Sequence, residues 1–253
     1  MDHLFTPRGE AALAAVMRLG PLLAFDFDGT LAPIVDRPDD ASVPGEVSRS
    51  LGELAARHPV AVITGRGVAD VRGRLGFEPR FVVGNHGAED VSIRLPQSAT
   101  AALDALRQRI DAGSGALRAA GVTVEDKRYS FAFHYRLAAD AALALAAVER
   151  VVGDATPGLD CFGGKCVVNV VASGAPDKGE ALARLVERCG AAGACFVGDD
   201  VNDEAVFRRA LPTWLTIRIG RDDPASQAMF FLDTDAELAL LLRRMLSLSS
   251  PPG

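Results

Sequence analysis

The sequence predicts an α/β fold, with an open and largely parallel sheet covered by helices and interrupted by a separate α+β lobe. Three observations carry this expectation. Short, wholly apolar runs alternate with helical stretches towards both ends of the chain, as strands buried on both faces of a parallel sheet do when crossover helices join them. Each run stops at polar, glycine-rich residues, where a strand turns out of a core. In the middle of the chain this pattern gives way to paired alternating strands and Ala/Leu-rich helices.

Residues Glu10 to Leu19 read as a short helix leading into the apolar run Leu22-Leu23-Ala24-Phe25, which ends at Asp26-Phe27-Asp28-Gly29-Thr30. The Pro- and Asp-rich residues 32–44 read as a loop, and Pro44 to Arg57 as a helix with Val47, Leu51 and Leu54 on one face. Pro59 to Ile63 is a second buried strand ending at Thr64-Gly65-Arg66-Gly67. Val68 to Leu75 is helical, and Phe81 to Val83 is a third strand ending at Gly84-Asn85-His86-Gly87.

The lobe follows. It comprises a helix over Ala99 to Ala120, alternating strands over Val122 to Val124 and Ser130 to Tyr135, a helix over Ala138 to Val152, and a strand over Cys166 to Val171. The first pattern then resumes: helix Lys178 to Cys189, strand Ala194 to Val197 ending at Gly198-Asp199-Asp200, helix Asn202 to Ala210, strand Trp214 to Ile219, helix Asp233 to Leu246 and a frayed tail from Ser247. The expected division is residues 1–87 and 173–253 for the α/β core and 88–172 for the α+β lobe.

With 253 residues, 49% of them hydrophobic, the chain can bury a core for one large or two modest domains. A net charge of −6 argues against broad binding to nucleic acid or to an anionic membrane. No run reaches transmembrane length, and Arg18 breaks the apolar stretch before the aspartates, so neither a membrane span nor a signal peptide is expected and the location reads as cytoplasmic. Cys161, Cys166, Cys189 and Cys195 form no C-x-x-C pair and read as reduced, small core residues.

Chemistry gathers at the strand ends. Asp26 and Asp28 stand one residue apart where a strand turns at Gly29; two carboxylates that close need a cation between them or a shared proton. Open α/β sheets bind ligands beyond the carboxyl ends of their strands, so Asp26, Asp28, Thr64, Arg66, Asp199, Asp200, Asp203 and Glu204 can meet in one crevice, with Lys178 at a helix start as their cation. Hard carboxylate oxygens suit Mg²⁺, which takes a substrate phosphate as a further ligand, and such sites perform phosphoryl transfer. Taken singly, each feature has an ordinary reading: Thr64-Gly65 as an N-cap and turn, Lys178 as a solvated helix residue, and Asp199 to Glu204 as acids favoured by a helix dipole.

Together these runs resemble the four motifs of the haloacid dehalogenase superfamily. The narrower resemblance, from about Pro21 to Phe207, is to the trehalose-6-phosphate phosphatase family. It is carried by Phe25-Asp26-Phe27-Asp28-Gly29-Thr30-Leu31-Ala32-Pro33, Ile63-Thr64-Gly65-Arg66, Gly84-Asn85-His86-Gly87-Ala88-Glu89, His134-Tyr135-Arg136, Asp177-Lys178-Gly179 and Gly198-Asp199-Asp200-Val201-Asn202-Asp203-Glu204.

The resemblance implies a Rossmann-like three-layer core with an inserted cap, and Mg²⁺-dependent hydrolysis of a small sugar phosphate by a single chain, without nucleic acid or membrane. Asp26 would be the nucleophile and Asp28 the acid and base, with metal held by Asp26, the Asp28 carbonyl and Asp199, and Asp203 behind them. Thr64, Gly65 and Lys178 would bind the phosphoryl group. Arg66 would bind substrate, and Glu125, Lys127, Arg136 and Lys165 would face the sugar from the cap. The residue four places after Lys165 departs from the family pattern: it is Asn169 where the family usually has Glu, so it lacks the charge that strengthens a bond to a sugar hydroxyl. A glycosyl phosphoglycerate, a hexose phosphate, or a sensing role without catalysis therefore stand as alternatives.

Overall fold

The computed structural model describes residues 1–35, 37–90, 97–153, 157–164, 166–221 and 223–249. In chain order its strands and α-helices are β1 (Asp2–His3), α1 (Pro7–Met17), β2 (Leu22–Phe25), α2 (Gly45–Ala55), β3 (Val60–Ile63), α3 (Val68–Arg72), β4 (Phe81–Val83), α4 (Gln97–Ala119), β5 (Thr123–Asp126), β6 (Ser130–His134), α5 (Ala141–Val152), β7 (Leu159–Gly164), β8 (Val167–Ala172), α6 (Lys178–Cys189), β9 (Ala194–Gly198), α7 (Glu204–Arg209), β10 (Trp214–Ile219), β11 (Phe230–Leu232) and α8 (Ala236–Leu248). They fall into two compact units, one of Met1–Gly87 with Pro176–Gly253, the other of Ala88–Ala175.

The first unit is built on a seven-stranded sheet in the order β1-β11-β10-β9-β2-β3-β4, with every pairing parallel. All four residues of β2 and of β3 are buried, because both faces of the sheet are covered. Leu23 and Phe25 join one apolar layer with Leu13 of α1, Leu51 and Leu54 of α2, and Leu241 and Met245 of α8. Leu22 and Ala24 join the other with Leu182 and Leu185 of α6 and Phe207 of α7. Alternate residues of one strand thus feed two helical layers, the three-layer α/β arrangement. Phe25 pairs with Val62 on one side and Val197 on the other, so the residues that follow these strands emerge along a single edge of the sheet.

The second unit holds an antiparallel sheet in the order β5-β6-β8-β7. Phe131, Phe133 and Val170 pack on Leu103 and Leu106 of α4 and Val148 of α5. The cross-strand row Glu125, Ala132, Asn169 and Phe162 lies on the opposite face of this sheet. Among the described residues no helix is long and apolar enough to cross a membrane.

Several elements differ from the sequence expectation. Strand β7 was not expected, since Leu-Asp-Cys-Phe-Gly-Gly has no alternation, and its partner β8 supplies the pairing. The short edge strand β1 and its neighbour β11 were likewise not expected. Helix α1 starts at Pro7 rather than Glu10, capped by the Thr6 side chain with Pro in the first turn. Helix α3 stops at Arg72 rather than Leu75, with Gly73 as its cap. Helix α8 runs on through Ser247, expected as tail, to Leu248. The cysteine expectation needs correction: Cys195 is buried, but Cys161 and Cys166 are exposed on β7 and the turn after it.

Candidate functional site

From β2 the chain passes to β3 and β4 on one side, and later to β9 and β10 on the other. The sheet therefore reverses direction between β2 and β9, and a crevice opens beyond the carboxyl ends of strands at such a point. Asp26 follows β2, Thr64 follows β3 and Asp199 follows β9.

The turn after β2 winds around one carbonyl: Phe27 O accepts from the amides of Leu31 and Ala32, both at 2.9 Å. Gly29 closes the turn with φ of +80°, and a Cβ there would collide with the Asp199 carboxylate, so glycine answers both the backbone and the close approach. Thr30 Oγ1 lies 3.4 Å from Asp199 Oδ1, joining this turn to the end of β9.

Beneath the turn is a sealed ionic cluster. Lys178, 1% exposed at the start of α6, places Nζ 2.9 Å from Asp26 Oδ1 and 2.7 Å from Asp203 Oδ1. The other oxygen of Asp203 accepts from the amides of Asp199 (2.9 Å) and Asp200 (3.0 Å), so both its oxygens are engaged. A Cβ at Gly198 would strike this carboxylate, which explains the glycine at the end of β9. Burial raises the Asp26 carboxyl well above its ordinary value, with Lys178 opposing the rise and Asp203 and Asp199 adding to it. Burial lowers the Lys178 ammonium, but Asp203 and Asp26 outweigh burial and raise it.

These directions describe a shortage of positive charge. Asp26, Asp199 and Asp203 offer oxygens within 4.8 Å of one another, all buried, and a single lysine faces them. A hard divalent cation fits this donor set. Since Asp203 is already fully bonded, Asp26 and Asp199 are the carboxylates placed to hold one, with Asp203 bracing the loop behind.

A second loop completes the site. Thr64 is fully buried and its Oγ1 accepts from Arg66 N at 3.1 Å. The loop is stapled to the segment after β4, where His86 N donates to Thr64 O and Asn85 N to Arg66 O, both at 2.9 Å. Gly65 lies against the His86 ring, where a Cβ would clash. The Arg66 guanidinium grips Asp28 as a fork, Nε to Oδ2 and Nη2 to Oδ1, each 2.8 Å, and stacks over Phe27 with 5.2 Å to the ring centre.

Among the described residues one other group, His3, Asp233 and Glu237, clusters closely enough to invite a metal. Its hydrogen bonds argue otherwise. The amide of Phe5 donates to His3 Nδ1, which leaves the proton of the neutral ring on Nε2, the nitrogen 3.1 Å from Glu237. Asp233 is engaged by Arg221 at 2.7 Å. This is a clasp between β1 and α8.

The family profile for Trehalose-phosphatase matches residues 24–234. The chain belongs to the trehalose-phosphatase family. An uncharacterised glycosyl hydrolase of Mycobacterium tuberculosis is 41% identical over 201 residues, 74% of this chain and 15% of that protein. The trehalose-phosphate phosphatase of Mycobacterium marinum is 34% identical over 247 residues, 92% of this chain and 63% of the relative. The chain thus spans less than two thirds of the length of either relative. The C-terminal domain of the Candida albicans trehalose-6-phosphate phosphatase superposes with a TM-score of 0.77 over 94% of this chain and 96% of that one, at 20% identity, which establishes the shared fold. A sugar phosphatase of the HAD superfamily superposes with a TM-score of 0.57 over 88% of this chain and 98% of that one, at 15% identity, so the two share a fold.

The first unit brings together Asp26, Lys178, Asp199 and Asp203, and pairs Arg66 with Asp28. Thr64 and Gly65 stand on the loop that carries Arg66. In the second unit Glu125 on β5 takes Lys127 at 3.6 Å and His134 at 3.2 Å. Asn169 is buried in β8, and Arg136 is exposed beyond β6. Lys165 lies outside the described residues. Sequence reading passed over Asp70 and Arg74, which continue the charge ladder from Arg66, although the spacing of four from Arg66 to Asp70 and again from Asp70 to Arg74 was a visible signal.

Proposed function

We propose that the protein is a Mg²⁺-dependent phosphatase that hydrolyses trehalose 6-phosphate to trehalose and phosphate. The observation that carries this reading is the buried Asp26–Lys178–Asp203 cluster with Asp199 beside it, at the reversal point of the sheet. Family membership and the likeness to mycobacterial trehalose-phosphate phosphatases support the substrate.

A carboxylate Oδ of Asp26 attacks phosphorus in line, forming an O–P bond as the bond to the sugar oxygen breaks. Asp28 gives its proton to that oxygen, then takes one from the water that attacks phosphorus and releases Asp26. Lys178 balances charge on Asp26 throughout. Because Thr64 Oγ1 accepts from Arg66 N, the Thr64 hydroxyl proton is left to donate to a phosphoryl oxygen, with the Gly65 amide beside it. Mg²⁺ bound by Asp26, the Asp28 carbonyl and Asp199 would polarise the phosphoryl group.

The sugar is read by Glu125, Lys127, Arg136, Lys165 and Asn169 of the second unit, which serves as the cap, while Arg66 contacts the substrate near Asp28. In this reading a single chain works in the cytoplasm on a small polar substrate, and the net charge of −6 accords with a partner other than nucleic acid.

Asn169 keeps a second substrate in view. It shares a cross-strand row with Glu125, and an amide there recognises a sugar by neutral hydrogen bonds, as another sugar phosphate would also allow. Phosphate release with Mg²⁺ should be measured on trehalose 6-phosphate, a glucosyl phosphoglycerate and glucose 6-phosphate. Fastest turnover of the first is expected; comparable turnover of all three would sink the trehalose assignment.

A further inference from the structure

The guanidinium of Arg66 is fixed from three directions. Its Nε and Nη2 hold Asp28, its face covers Phe27, and its remaining nitrogen, Nη1, donates to Asp70 Oδ2 at 2.9 Å. Asp70 is itself anchored, its Oδ1 accepting from Arg74 Nε at 2.9 Å and Nη2 at 2.6 Å. Arg74 in turn reaches the backbone carbonyl of Ala41 at 3.3 Å, in the loop that precedes α2. The ladder Asp28–Arg66–Asp70–Arg74 thus ties the turn after β2 to a later stretch of the same β2–α2 connection, with each guanidinium bonded on both sides.

A planar fork held at one edge can still tilt with the carboxylate it grips. A bond to Nη1, outside the pair that holds Asp28, removes that freedom, and stacking on Phe27 fixes the plane. We propose that Asp70 is a positioning residue for this reaction: it pins Arg66 through the nitrogen that Asp28 does not use, so that the fork, which takes one lone pair of each oxygen, presents the protonated Asp28 carboxyl in one orientation to the leaving oxygen. The inference rests on the phosphatase reading above and deepens it. Orientation of a proton donor matters most where the leaving group needs the proton. A sugar alkoxide leaves poorly without one, whereas p-nitrophenolate leaves readily.

The test compares the full chain with Asp70→Ala and Asp70→Asn, with Mg²⁺ in excess, on p-nitrophenyl phosphate and on whichever sugar phosphate of the panel turns over fastest. Asp70→Ala is expected to lower kcat on the sugar phosphate by roughly 10- to 100-fold with KM changed about 2-fold or less, and to lower turnover of the aryl phosphate much less. Asp70→Asn keeps one acceptor oxygen for Arg66 Nη1 and should recover most of the sugar-phosphate turnover. Should the alanine variant fail to fold, Asp70→Leu, which also removes the acceptor for Arg66 Nη1, carries the comparison. An active parent whose acceptor-free variant loses both substrates equally, or loses neither, overturns the positioning role alone. A parent inert on both substrates overturns the phosphatase reading and this role with it.

Discussion

The Asp26 carboxylate and the Lys178 ammonium lie 2.9 Å apart, and both side chains are buried. Lys178 also holds Asp203, so its removal would strand two buried carboxylates with no cation. Breaking a buried pair from one side costs about 3–5 kcal/mol, more than the pair itself contributes over an apolar replacement. Lys178→Ala should therefore lose stability of that order in urea denaturation without added metal, and lose turnover as well. A change under about 1 kcal/mol would mean that the carboxylates take up protons instead, the direction in which burial already drives Asp26.

A cation held by Asp26 and Asp199 binds the folded chain and not the unfolded one, so by mass action it stabilises the fold by about 2.7 kcal/mol at a hundred times its dissociation constant and raises the melting temperature. Chelation by EDTA should lower the melting temperature and abolish phosphate release, and Mg²⁺ should restore both. Asp199→Asn should need more Mg²⁺ for the same stabilisation. Equal Mg²⁺ titrations of variant and parent would remove Asp199 from the ligand set.

The core strands were legible because burial on both faces leaves a wholly apolar word, as in Leu22–Phe25, and the Asp-x-Asp-Gly-Thr after it marks where the strand ends. Strand β7 was not, since Asp160, Gly163 and Gly164 carry no strand signal and the strand is placed by its pairing with β8 and by Leu159 in the core of the second unit. Lys178 looks from its sequence like any solvated lysine at a helix start. What buries it is Asp203, brought near by the packing of α6 against the segment after β9. The spacing of Arg66, Asp70 and Arg74 is equally plain in the sequence, but their target, Asp28, is 38 positions away and reached only through the pairing of β2 with β3.

Gly65 and His86 fit tightly at the site. A methyl on Gly65 would fall within the His86 ring, and that ring cannot retreat easily, since His86 is buried and its backbone is held at φ +59° by the bond from its amide to Thr64 O. Gly65→Ala should displace the loop that carries Thr64 and Arg66, and a misplacement of about 1 Å costs on the order of 100-fold in turnover. The double variant Gly65→Ala with His86→Ala, which removes the clash, should recover part of the stability lost by the single one. No recovery in melting temperature would place the strain elsewhere.

The Asp70 ladder also makes a statement about acid. Burial raises the Asp70 carboxyl, but hydrogen bonds and charge from Arg74 and Arg66 outweigh it and hold the group below its ordinary value, about 3.9 in an unfolded chain. A carboxyl depressed on folding adds stability that is fully present above its unfolded pKa and is lost as pH falls through the folded one. Asp70→Asn should therefore melt below the parent at about pH 7, and the gap should narrow as pH drops below about 4. The half-exposed setting of Asp70 keeps the effect small, so the change of the gap with pH is the quantity to measure. A gap that stays constant through this range would assign the loss to packing around α3 and would take the ion pairs with Arg66 and Arg74 out of the stability of the fold.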